Sequence, residues 1–186
     1  MTKSELRIEI RQRLARLTNK DAASRAITAR VLELPAVQDA GSILLYAALP
    51  SEPQTHDLWQ SLANQGKRTL FPRVVPGTSD LELRVVRTWE DLQPGSYRIL
   101  EPNPTLCPLI TPGEIDAILA PGVSFDPTGA RLGRGSGFYD RLLIRLPPET
   151  VRVGLFFSCQ SCDSIPCELH DQKLHLIVTE HDTIIP

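Results

Sequence analysis

The sequence has no apolar run long enough to span a bilayer, which excludes a transmembrane helix. Its basic first residues lack the apolar segment and small-residue cleavage site of a secretory leader, so the expected location is the cytosol. Cysteine is scarce: Cys107, Cys159, Cys162 and Cys167 are expected as reduced thiols, not as a disulfide framework. Charge of one sign is equally short. Against 20 Lys and Arg stand 22 Asp and Glu, a net charge of −2, which gives no basic surface for displacing counterions from a nucleic acid. No repeat, low-complexity tract or linker is visible, and the 16 prolines fall between elements. What remains is a single domain over residues 1–186, able to bury a core without disulfides or metal, and expected as a monomer with no membrane or nucleic-acid partner.

The most informative stretch is residues 131–141, Arg-Leu-Gly-Arg-Gly-Ser-Gly-Phe-Tyr-Asp-Arg. Alternating Gly133, Gly135 and Gly137 let the backbone expose its N–H groups to a close ligand. Phe138, Leu142 and Leu146 fall at helical spacing, so the loop feeds a helix start, where unpaired N–H groups and a partial positive charge favour anions. Arg131, Arg134 and Arg141 add cations suited to phosphate oxygens. The pattern lacks the Gly-Lys-Ser/Thr of a P-loop and has Phe138 where a dinucleotide fingerprint needs glycine, so both of those readings fail.

In chain order, Thr2 and Glu5 read as a capping box before the apolar stripe Leu6, Ile10, Leu14 and Leu17. Residues 1–34 carry eight basic and four acidic side chains, leaving 12 and 18 of the totals for the rest. Lys3 and Arg7 share one face of this cationic arm. A second helix is predicted over residues 21–34, ended by Pro35, and a third over residues 56–65, capped by Thr55. Strands are predicted over residues 42–47, 67–71, 81–86, 115–120, 151–157 and 174–179. This alternation predicts an α/β fold, a mostly parallel sheet with helices on both faces in a Rossmann-like three-layer sandwich. Glu52 then sits on a loop at a strand's C-terminal end, where such sheets bind ligands.

With those residues in place, the chain resembles the 5-formyltetrahydrofolate cyclo-ligase family, also called methenyltetrahydrofolate synthetases, over nearly its whole length. The resemblance rests on residues 120–126, Ala-Pro-Gly-Val-Ser-Phe-Asp, followed by residues 131–140. Supporting it are residues 3–7, Tyr46 with Glu52 and Thr55, residues 99–102 (Ile-Leu-Glu-Pro), His170 with Asp171, and residues 177–180. It implies an ATP- and Mg2+-dependent closure of 5-formyltetrahydrofolate to 5,10-methenyltetrahydrofolate, with the formyl oxygen phosphorylated and ADP and phosphate released.

Carried over by residue, the resemblance implies that Lys3 and Arg7 reach the ATP phosphates. Arg131, Leu132, Gly133, Arg134, Gly135, Ser136, Gly137, Phe138 and Tyr139 wrap them. Glu52, Tyr46 and Tyr97 hold the folate, Asp140 and Asp171 form the magnesium side, and Arg134, Tyr139 and Asp140 carry the chemistry. Departures are Ser136 where many relatives have Gly or Lys, Phe138 for a tyrosine, and Arg98 where relatives often have Gly. Two alternatives stand beside this reading: a binding paralogue without turnover, and an enzyme of another phosphate substrate. Cys159, Cys162, Cys167 and His170 form a set capable of holding zinc, although the thiols are read here as buried apolar residues.

Overall fold

The computed structural model describes residues 1–168 and 171–186, so His170 lies outside it. Helix α1 (Lys3–Arg16) starts with the expected capping box: Glu5 N–H donates to Thr2 Oγ1 at 3.2 Å, and Thr2 N–H donates to Glu5 Oε2 at 2.7 Å. Leu6, Ile10 and Leu14 are its buried stripe. Helix α2 (Lys20–Glu33) stops before Pro35, yet Pro35 does more than terminate it. It is the first residue of α3 (Pro35–Asp39), the helical position at which a missing N–H costs nothing.

The chain continues through β1 (Ser42–Leu44), α4 (His56–Asn64), β2 (Arg68–Val74), β3 (Leu81–Val85), β4 (Leu92–Pro94), β5 (Leu100–Pro102) and β6 (Leu109–Ile110). After these come β7 (Ala117–Ala120), β8 (Ser124–Phe125), β9 (Arg131–Leu132), α5 (Phe138–Arg145), β10 (Val151–Leu155), β11 (Leu176–Val178) and β12 (Thr183–Ile184). Thr55 occupies the N-cap position of α4 as expected, but its side chain makes no capping bond. Its hydroxyl donates to Tyr46 O at 2.6 Å, fastening the loop after β1 back onto the strand that launched it.

The main sheet has the order β12-β11-β10-β7-β1-β2-β3-β6. Its central strands β11, β10, β7, β1 and β2 run parallel, and β12, β3 and β6 add antiparallel edges. Successive strand residues point to opposite faces, and the core divides accordingly. Ile43, Phe71, Ala117, Leu119 and Val153 pack with the buried stripes of α1, α2 and α4. Leu44, Leu70 and Ile118 pack on the other face with Leu142 and Leu143 of α5. Each of the larger side chains among these, Val, Leu, Ile or Phe, contributes about 1.5–3 kcal/mol by leaving water. The three-layer α/β reading therefore holds.

From β1 the chain moves to β2 on one side, and from β7 it moves to β10 on the other. The switch point between β1 and β7 opens a crevice beyond their C-terminal ends. The loop carrying Glu52 and the loop carrying the glycines both emerge there.

Candidate active site

The crevice is a cavity of about 360 Å³. One wall is the loop after β1, where Glu52 is only 6% exposed. Its position is locked locally: Glu52 N–H donates to Leu49 O at 2.9 Å, and Leu49 N–H donates to Glu52 Oε2 at 2.9 Å. Beneath it Tyr46 is buried, with its hydroxyl donating to Pro53 O at 3.0 Å. Burial pushes the Tyr46 phenol well above its ordinary range, and the neighbouring negative Glu52 pushes it further.

The opposite wall is the glycine loop. Gly135 (φ +109°) and Gly137 (φ +67°) are left-handed, and Gly137 is the cap from which α5 springs. The N–H groups of residues 134–140 donate to no other described residue, so the loop offers a cluster of free donors at a helix start. Arg134 reaches across the cavity to Glu52, its Nε and Nη2 both donating to Oε1, at 3.1 and 2.9 Å. Its Nη2 also donates to Ser51 Oγ at 3.1 Å. The acid assigned to folate and the cation assigned to phosphate thus form one pair.

Arg131 is placed differently from Arg134. Its side chain is 2% exposed, donating through Nη2 to Asp140 Oδ1 at 2.6 Å and through Nη1 to Pro121 O at 3.2 Å. Its guanidinium lies 5.6 Å from the centre of the Tyr139 ring. Of the two arginines, this is the buried one, and it fixes Asp140 and Tyr139, whereas Arg134 pairs with Glu52 at the open side of the cavity. Burial and then Glu52 raise the Tyr139 phenol, with Arg131 opposing, so at neutral pH Tyr139 is a neutral O–H donor.

The remaining predicted residues take these places. Ser136, Gly133, Phe138 and Tyr97 line the cavity, and the Tyr97 ring meets Phe138 edge-on with centroids 6.0 Å apart. Leu132 is a core side chain and offers a ligand only its backbone. Arg7 Nε donates to Gly133 O at 2.9 Å, docking α1 on the glycine loop, and Gly135 faces the same guanidinium. Lys3 Nζ donates to Asp171 Oδ2 at 2.8 Å and to Glu168 Oε1 at 3.0 Å. Burial alone would lower the Lys3 ammonium, but those two acids raise it, so it stays charged. Asp171 is not a wall of the cavity that Asp140 lines.

Sequence reading passed over Glu101 as a site residue. It is a third carboxylate in the cavity, beside Glu52 and Asp140, 7% exposed, and the only signal was its place in the Ile-Leu-Glu-Pro stretch. The thiols also need correction, because only Cys107 is fully buried and Cys167 is exposed. Among the described residues no group of three or more His, Cys, Asp or Glu is arranged to hold a metal.

The sequence profile of the 5-formyltetrahydrofolate cyclo-ligase family matches residues 1–180. The chain belongs to that family. A 5-formyltetrahydrofolate cyclo-ligase of Haemophilus influenzae is 33% identical over 177 residues, covering 92% of this chain and 94% of its own. The cyclo-ligase of Mus musculus is 29% identical, covering 96% and 93%. Among solved structures, the 5,10-methenyltetrahydrofolate synthetase of Aquifex aeolicus superposes with a TM-score of 0.85 at 28% identity, covering all of this chain and 93% of that one. The Mycoplasma pneumoniae synthetase shares the fold at a TM-score of 0.78 and 24% identity. The cyclo-ligase fold is therefore the fold of this chain, and the crevice between β1 and β7 is its candidate active site.

Proposed function

We propose that this chain closes 5-formyltetrahydrofolate to 5,10-methenyltetrahydrofolate using ATP. The observation that carries the reading is the Glu52–Arg134 pair, an acid from the loop after β1 and a cation from the glycine loop within one cavity. A pterin N–H on that carboxylate and a phosphate oxygen on that guanidinium would lie side by side, which is the juxtaposition the reaction needs.

The formamide oxygen is a poor leaving group. Transfer of the γ-phosphoryl group to it makes a phosphate ester. The neighbouring folate nitrogen then attacks the formyl carbon, the C–O bond breaks, and phosphate departs with that oxygen. The protein's task in such a reaction is positioning and charge stabilisation. Arg134 and the free N–H groups of residues 134–140 receive the phosphoryl oxygens. Tyr139 supplies a neutral O–H beside them, and Glu52 orients the pterin. Lys3 and Arg7 approach the nucleotide from α1.

A magnesium ion fits this donor set, because such an ion takes one or two carboxylates and completes its shell with phosphate oxygens and water. Asp140 would hold it with the oxygen that Arg131 does not engage; Asp171 pairs with Lys3 and does not line this cavity. When bound, the ion neutralises charge on the transferring phosphoryl group. An absorbance assay in the near-ultraviolet, where the methenyl product absorbs, tests the reading. The band grows only when 5-formyltetrahydrofolate, ATP and magnesium are all present; growth without ATP, or no growth at all, contradicts it.

A further inference from the structure

The cavity mouth is closed on one side by the turn joining β4 to β5, and this turn is strained. Tyr97 (φ +56°) and Arg98 (φ +62°) are the only residues other than glycine with positive φ among those described. Two consecutive side chains in the left-handed region persist only where their surroundings impose it. The turn itself supplies two backbone bonds, Gly95 N–H to Ile99 O at 2.8 Å and Ile99 N–H to Ser96 O at 3.0 Å. The imposing group sits behind them.

Glu101 returns from β5 under the turn and is 7% exposed. Its Oε1 accepts from Ser96 N–H at 3.2 Å and from Val74 N–H at 3.4 Å, tying the turn to the end of β2. The carboxylate lies so close beneath Gly95 that a Cβ there would stand 2.4 Å from Glu101 Cδ. Glycine at 95 and glutamate at 101 are thus one device. Its outward product is Tyr97, 67% exposed, carried over the cavity with its ring edge-on to Phe138 of the glycine loop.

We propose that Glu101 is a positioning residue, which by accepting the Ser96 and Val74 N–H groups holds the left-handed turn that sets Tyr97 against Phe138 and thereby governs affinity for the reduced pterin. The inference rests on the folate reading of this cavity given above. The acceptor oxygen does the holding, so charge is not required. Glutamine, whose amide oxygen can accept the same two bonds, should substitute; leucine should not.

The test compares Glu101→Gln and Glu101→Leu with the unaltered protein, in steady-state kinetics and in trypsin cleavage after Arg98. In Glu101→Leu the KM for 5-formyltetrahydrofolate rises about tenfold, while kcat and the KM for ATP stay within about threefold, the signature of lost ground-state binding. Cleavage after Arg98 accelerates in Glu101→Leu and stays at the unaltered rate in Glu101→Gln. Gly95→Ala, which pushes the carboxylate from behind, is the second variant should Glu101→Leu fail to fold, and it shifts the same two readouts. An unchanged folate KM, an equal loss for ATP and folate, or a Glu101→Gln variant as impaired as Glu101→Leu each overturns the proposal. If the unaltered protein does not cyclise its substrate, the functional reading fails while the cleavage comparison still decides the role of Glu101.

Discussion

Arg131 and Arg134 are three residues apart, read alike in the sequence, and do different work because of burial. Arg131 is enclosed and directs its two terminal nitrogens to Asp140 and Pro121, whereas Arg134 has a side chain 45% exposed and faces Glu52 over the cavity. Residue type does not separate them, since both are arginines of the same glycine-rich stretch. Replacing Arg134 by Ala should therefore lower kcat/KM by about two orders of magnitude with the thermal transition unchanged, because a charge-assisted phosphate contact is lost and little packing is. Near-normal turnover would remove Arg134 from the site. Arg131→Ala should instead destabilise the fold by roughly 3–5 kcal/mol in a denaturant titration, as the partner of a largely buried pair is left alone. The raised phenols of Tyr46 and Tyr139 also make a pH prediction. Both titrate later in the folded chain than in the unfolded one, so their contribution is intact below the unfolded pKa of about 10 and is lost as pH climbs beyond it. Tyr46→Phe and Tyr139→Phe should each flatten the fall in stability between about pH 10 and 11, and an unaltered slope in both would show the phenols to be solvated.

Elements were legible in proportion to their length and their end signals. Helix α1 announced itself by a capping box and a stripe, and α5 by the glycine that precedes it. The hairpins β4–β5 and β8–β9 and the edge strands β6 and β12 hold two or three residues each, too few for any period to show. The shape of the Tyr97–Arg98 turn was hidden for a further reason. Pro94 and Gly95 signal a turn by residue type, and β4 and β5 do turn there, but Arg98 stands at a left-handed position that glycine fills without strain, so the turn's conformation could not be read. The loop that feeds α5 carries its own prediction. At Gly137 an added Cβ would combine φ +67° with a 2.9 Å approach to Arg141 Nη1, so Gly137→Ala should cost about 1–2 kcal/mol and weaken ATP binding. Calorimetric melting with and without nucleotide checks both parts, and a variant that melts and binds normally would show the left-handed cap to be dispensable.

At the scale of the whole molecule, the fold places the chemistry through one topological event, the divergence of the chain from β1 and from β7. Strand alternation and the apolar runs made the sheet predictable, and family resemblance supplied the residues that meet in the crevice. What neither could supply was that Glu52 and Arg134, 82 positions apart, are paired, because that contact exists only once β1 and β7 lie side by side. The central claim is that the formyl oxygen leaves as phosphate from this shared cavity. The measurement that tests it most directly is to supply 5-formyltetrahydrofolate labelled with heavy oxygen in the formyl group, together with magnesium ATP, and to weigh the inorganic phosphate released. The account predicts one labelled oxygen in each phosphate formed with the methenyl product; unlabelled phosphate accompanying full conversion would contradict it.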